Sequence, residues 1–140
     1  MSRRPVVIVV GVVALSAVVK VSISAYQTST TRHQVSAGLA SGNEARAALV
    51  EARAANYDEP FNEINMRLDY AARDNEFVGG VHIDQGKIVV TYETGAAVNG
   101  PIRSRRVVLA PQGDDPVPES WRCSSPDIEN KFLPEGCRSD

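Results

Sequence analysis

Histidine and cysteine are scarce in this chain, with two of each among 140 residues. His33 and His82 stand far apart, and neither is accompanied by a cysteine or serine partner pattern, so they are assigned no role. A zinc set finds no support, because neither histidine lies near Cys123 or Cys137 in sequence to complete the ligands. An excess of one charge sign is lacking too. The 15 basic and 17 acidic side chains offer no global argument for nucleic acid or for an acidic substrate. Also absent are a nucleophile elbow, a phosphate loop, a metal-ligand cluster and a carboxylate pair with supporting context. The adjacent acids Asp114 and Asp115 lie in a proline-rich loop and read as a solvated turn. These absences point away from an enzyme and from a cofactor. The length suits one domain, with room for an appended segment.

What is present is concentrated at the two ends. After Arg3, Arg4 and Pro5 comes VVIVVGVVALSAVV, from Val6 to Val19, with nothing more polar than Ser16 inside it. Extended to Ile23, the stretch carries one charge, Lys20, and as a helix it approaches the roughly 30 Å thickness of a bilayer core. Valine is a poor helix former in water, but in lipid only a helix satisfies its own backbone. Arg3 and Arg4 would hold the N-terminus in the cytoplasm, and Lys20 could reach the opposite headgroups. A cleaved secretory signal is the alternative, since Ser22-Ile23-Ser24 before Ala25 looks like a small-residue cleavage site. Both readings export everything after about Ser24.

Export gives the cysteines a role. Cys123 and Cys137 enclose residues 124–136, and an even count in a small exported domain favours a disulfide over two free thiols. Closing such a loop would restrict the unfolded chain by about 3 kcal/mol in the entropy model.

Between the ends, Val35, Leu39, Ala45, Leu49 and Ala52 recur at helical spacing, with Gly38 and Gly42 on the same face. Arg32, Ser36, Glu44, Glu51 and Arg53 occupy much of the opposite side, while Arg46 falls near the edge of the apolar stripe. From Tyr26 to Ala55 no proline intervenes, which predicts one nearly continuous helix from the apolar segment to about Ala55. Asn56 to Pro60 breaks the pattern, and Phe61, Ile64, Leu68 and Ala72 predict a short helix within a connecting loop. The period then changes. Val78 to Ile83, Lys87 to Tyr92 and Arg106 to Leu109 read as strands, with Asp84-Gln85-Gly86 as a hairpin turn. Gly95 to Pro101 and Pro111 to Pro118 read as loops, and Ser120 to Cys123 as a last short strand. Such a sheet hides one face against the long helix and leaves the other in water.

These segments resemble type IV pilins. WRCSSPDIENKFLPEGCR, from Trp121 to Arg138, is similar to the disulfide-bounded loop that ends them. AYQTSTTRHQVSAGL, from Ala25 to Leu39, is similar to the segment where a pilin helix leaves its apolar stem. VGGVHIDQGKIVVTY is similar to the family's central strands. The resemblance implies an α+β pilin fold: a long N-terminal helix packed on a small four-stranded antiparallel sheet, with a C-terminal disulfide loop. It divides the chain into a short basic cytoplasmic end (1–5), a transmembrane helix (6–24) and an exported head (25–140). The implied role is a structural subunit or close associate of a type IV pilus, acting in cell adhesion. Its implied partners are other pilin subunits, the assembly machinery, membrane lipid and a surface receptor.

The start departs from the family pattern. Aligned on Ala25-Tyr26-Gln27, the positions of the leader glycine, the methylated phenylalanine and the mature chain's glutamate hold Ser2, Arg3 and Val7. The proline that usually precedes this segment is Ser24. An uncleaved, membrane-anchored accessory that modulates assembly or binds a ligand such as DNA is therefore the alternative role, and a misassigned start would also account for the difference.

Two surfaces are candidates for contact. In the disulfide loop, Ser124, Ser125, Pro126, Asp127, Ile128, Glu129, Asn130 and Lys131 offer mixed hydrogen-bonding groups for adhesion, with Phe132 and Leu133 expected to turn inward. The plainer reading is a staple that holds the last strand. Arg103, Arg105 and Arg106 form a basic patch, with Arg122, Lys131 and Arg138 as possible neighbours, that could meet DNA phosphate. Edge-strand arginines also serve solubility and block edge pairing.

Overall fold

The computed structural model describes the backbone of residues 4–55 and 74–140, with side chains described from residue 19 onward. Helix α1 (Arg4–Ala55) is unbroken, as the proline-free run from Tyr26 to Ala55 predicts, and at 1.5 Å per residue its 52 residues extend roughly 78 Å. Pro5 falls in the first turn, where a missing N–H costs no helical bond. The short helix expected around Phe61 to Ala72 lies outside the described residues. So does most of the expected membrane segment at the level of side chains, residues 6–18. Among the described residues no helix is long and apolar enough to cross a membrane.

The sheet is an antiparallel meander in sequence order, β1 (Val78–Asp84), β2 (Lys87–Tyr92), β3 (Arg106–Gln112) and β4 (Ser120–Ser124). Gln85 and Gly86 form the two-residue turn between Asp84 and Lys87, and both have positive φ, 49° and 77°. That is the backbone of a type I′ turn, whose twist matches the strands it joins. Strand β3 outruns its expected end at Leu109 and continues through Pro111. Pairing with β2 stops at the Ile88–Leu109 pair, so Pro111 sits where only β4 runs alongside, opposite Trp121. A residue without an N–H is tolerable at such a place.

The α1 stripe read from the sequence is the face that meets the sheet. Val35 and Leu49 are fully buried, Ala45 nearly so, and Leu39 and Ala52 half-buried. Arg53 departs from its expected exposed position: it is half-buried and donates from Nε to the Pro116 carbonyl at 3.1 Å. Two apolar clusters result. The upper one joins Ala45 and Leu49 to Val78, Val81, Ile88, Val90 and Leu109. The lower one joins Val35 to Tyr92, Val98, Ile102, Val107, Ile128, Phe132 and Leu133. Leu39 and Cys123 pack against both and connect them. Phe132 and Leu133 do turn inward, at 6% and 1% exposure.

Glycines set how closely helix and sheet approach. A Cβ on Gly38 would lie 2.7 Å from Tyr92 Cζ, and one on Gly42 would lie 2.8 Å from Val90 Cγ2. Tyr92 thereby lies over the helix backbone and donates its hydroxyl to the Val35 carbonyl at 2.7 Å.

Candidate functional site

The head grips the helix through polar bonds as well as apolar contact. Gln34, buried among the loop residues, donates to the Ala97 carbonyl at 2.9 Å and accepts from the Asn99 N–H at 2.8 Å. Asn99 in turn donates to the Thr31 hydroxyl oxygen at 3.0 Å. Asn75 donates to the Ala37 carbonyl at 2.7 Å and to the Ser41 hydroxyl at 3.0 Å. Its Oδ1 accepts from the Phe77 N–H, which starts the turn into β1. The three buried polar helix residues, Thr31, Gln34 and Ser41, thus all have partners, as burial requires.

Below Thr31 the helix leaves the head. Val19, Val21, Ile23 and Tyr26 are 49%, 71%, 51% and 73% exposed. Among the described residues these are the large apolar side chains left exposed. Three threonines along the exit, Thr28, Thr30 and Thr31, donate to the carbonyls of Ser24, Tyr26 and Gln27. Each of these bonds lies within the helix itself.

Cys123 at the end of β4 and Cys137 in a single-turn helix (Glu135–Cys137) form a disulfide, with Cα atoms 4.5 Å apart. The loop between them folds back on β3 and α1. Ser125 donates to the Arg106 carbonyl at 2.6 Å, and its oxygen accepts from the Ile128 N–H at 2.9 Å. Asp127 accepts from the Arg106 N–H at 2.8 Å and meets its guanidinium at 3.4 Å. Asn130 and Ser139 bond reciprocally, and Arg32 of α1 donates to the Lys131 carbonyl. Ile128 is buried. Of the eight residues read as an adhesive loop, Ser125, Asp127, Ile128 and Asn130 therefore hold the loop together. Ser124, Pro126, Glu129 and Lys131 remain as outward groups, the last two joined by an ion pair of 2.8 Å.

The three arginines of the basic patch lie on one segment at the lower end of the head, and all are exposed. Arg106 shares its charge with Asp127, and Arg103 donates from Nε to the Val98 carbonyl at 2.8 Å. Arg122 lies on β4 opposite Ala110, and Arg138 donates to the Leu133 carbonyl. Sequence reading missed the cleft of about 440 Å³ beside this patch, where the helix exits. Gln27, Thr28, Thr31, Asn99, Arg103 and Lys131 line it. No local motif announces it, because its walls come from the helix, the β2–β3 connection and the disulfide loop. Among the described residues no group of three or more acidic, histidine or cysteine side chains is placed to hold a metal.

No curated protein matches the chain. The family model for pilin, the bacterial filament protein, matches residues 31–138, from the part of α1 that packs on the sheet to the residue after Cys137. With the long helix, the four-stranded meander and the Cys123–Cys137 bridge in the expected order, the chain belongs to the pilin family and is a type IV pilin-like protein.

Proposed function

We propose that this protein is a structural subunit of a type IV pilus and contributes to cell adhesion, with its N-terminal helix as membrane anchor before assembly. The observation that carries the reading is the stem: Val19, Val21, Ile23 and Tyr26 stand exposed on a helix that continues beyond the head. In a bilayer Val19, Val21 and Ile23 meet lipid, with Tyr26 just outside the span; in a fibre they meet the stems of neighbouring copies. The exchange changes apolar burial little, so it can run in either direction under control of assembly machinery. The head supplies the outer surface, and the disulfide compensates for its small core. On this reading residues 1–5 are cytoplasmic, 6–24 span the inner membrane and 25–140 are exported.

Fibres sheared from cells making the full chain, immunoblotted beside the envelope fraction, test this directly. Signal in the fibre fraction is the expected result. Signal confined to the envelope would replace the subunit reading with that of an anchored accessory.

A further inference from the structure

The exit cleft is cationic on a polar floor. Arg103 lines the cleft and is pinned through Nε to the Val98 carbonyl. Lys131 also lines the cleft, with its ammonium 4.9 Å from the centroid of the Phe132 ring. Arg32 reaches the same place through its bond to the Lys131 carbonyl. One carboxylate, Glu129, opposes them, exposed and paired with Lys131. Gln27, Thr28 and Asn99 add hydrogen-bonding groups. Such a set suits a carboxylate presented on a narrow loop.

The head carries that complement at its other end. Asp114 and Asp115 are exposed in the β3–β4 loop, behind Gly113 with φ 83°, and Glu119 follows in the same loop. Among the described residues neither aspartate has an ion-pair partner. Arg53 near the top of α1 ties this loop down through the Pro116 carbonyl. From Thr31 at the cleft to Arg53 at the loop, the helix rises roughly 33 Å. Donor and acceptor patches thus sit at opposite ends of the head.

We propose that the cleft lined by Arg103 and Lys131 receives the Asp114-Asp115 loop of a second copy. A contact between two different patches is heterologous, and when the patches lie at opposite ends of the head it can propagate as an open array rather than closing into a dimer. The inference rests on the filament reading above and assigns it a head-to-head contact additional to stem packing. Charge also sets the register, because like charges brought together would oppose any other alignment.

A charge swap tests the pairing in cells making the full chain, with envelope abundance and an intact disulfide as folding controls. Asp114→Lys with Asp115→Lys, or Arg103→Glu with Lys131→Glu, should each lower fibre-associated protein by roughly tenfold or more. All four changes together should restore it. Normal fibres from either reversed pair, or no recovery in the fourfold variant, overturns the proposal. If the unaltered chain is missing from fibres, the subunit reading fails by itself, and carbodiimide coupling in envelopes decides the contact separately. An intermolecular amide between Lys131 and Asp114 or Asp115 sustains it; coupling of Lys131 to Glu129 alone overturns it.

Discussion

A methyl group added to Gly38 would press on the Tyr92 ring, 2.7 Å from Cζ and 2.8 Å from the hydroxyl oxygen. The ring cannot retreat, because its hydroxyl is bonded to the Val35 carbonyl and it is 1% exposed. Gly38→Ala should therefore destabilise the head by about 1–3 kcal/mol, read as a lower Tm of the full chain. Tyr92→Phe should cost about 1 kcal/mol near neutral pH, for the lost hydroxyl bond to the Val35 carbonyl. Burial pushes the Tyr92 phenol well above its ordinary range. The sign follows from linkage: the unfolded chain releases this proton first, so the stabilisation is complete below about pH 10 and declines as pH rises beyond it. Alkaline titration of stability should show that decline in the unaltered protein, and Tyr92→Phe should remove this residue's share of it.

At the scale of elements, the helix is a spine and the loops are its clamps. Asn75 joins the start of β1 to α1 through Ala37 and Ser41 and organises its own turn. Asn75→Ala should cost about 1–3 kcal/mol by leaving the Ser41 hydroxyl short of a partner, measurable as a Tm decrease. The disulfide loop is held by the Arg106–Asp127 pair, the Ser125 bonds and the buried Ile128, Phe132 and Leu133. Reducing Cys123–Cys137 should cost about 3 kcal/mol. For a head of this size that corresponds to a fall in Tm of more than about 10 °C. Adhesion through this loop is a separate matter. Cells carrying Cys123→Ser with a folded head and unchanged surface attachment would show that the loop acts as a staple alone.

The whole molecule is a polar object, with an apolar stem at one end and an acidic loop at the other. Ile23 is 51% exposed and lies below the head, so its substitution separates folding from assembly. Ile23→Asp should leave the Tm of the head unchanged and lower the fibre-associated fraction of the chain. A parallel loss of Tm would mean that this part of the stem stabilises the head after all. The distinction follows from the difference along α1, where Val35, Ala45 and Leu49 are buried against the head while Val19, Val21, Ile23 and Tyr26 stand exposed.

Local pattern determined much of this protein. The absence of proline made one helix, the period of its apolar residues chose the face that packs, and Gln85-Gly86 set the hairpin turn. The even cysteine count anticipated the bridge, because export and a small core leave two thiols few other uses. Other features depend on chain neighbours that are distant in sequence. Pro111 looked like a strand end, yet β3 passes through it because β2 has already stopped alongside. Arg53 looked solvated, yet it reaches the Pro116 carbonyl because the β3–β4 loop returns to the helix. The basic patch looked uniform, yet Asp127 takes up Arg106, while Arg103 turns with Lys131 into a cleft shared by three segments. Periodicity reports which face of an element avoids water; which polar groups then meet is decided only when non-adjacent segments are brought into contact.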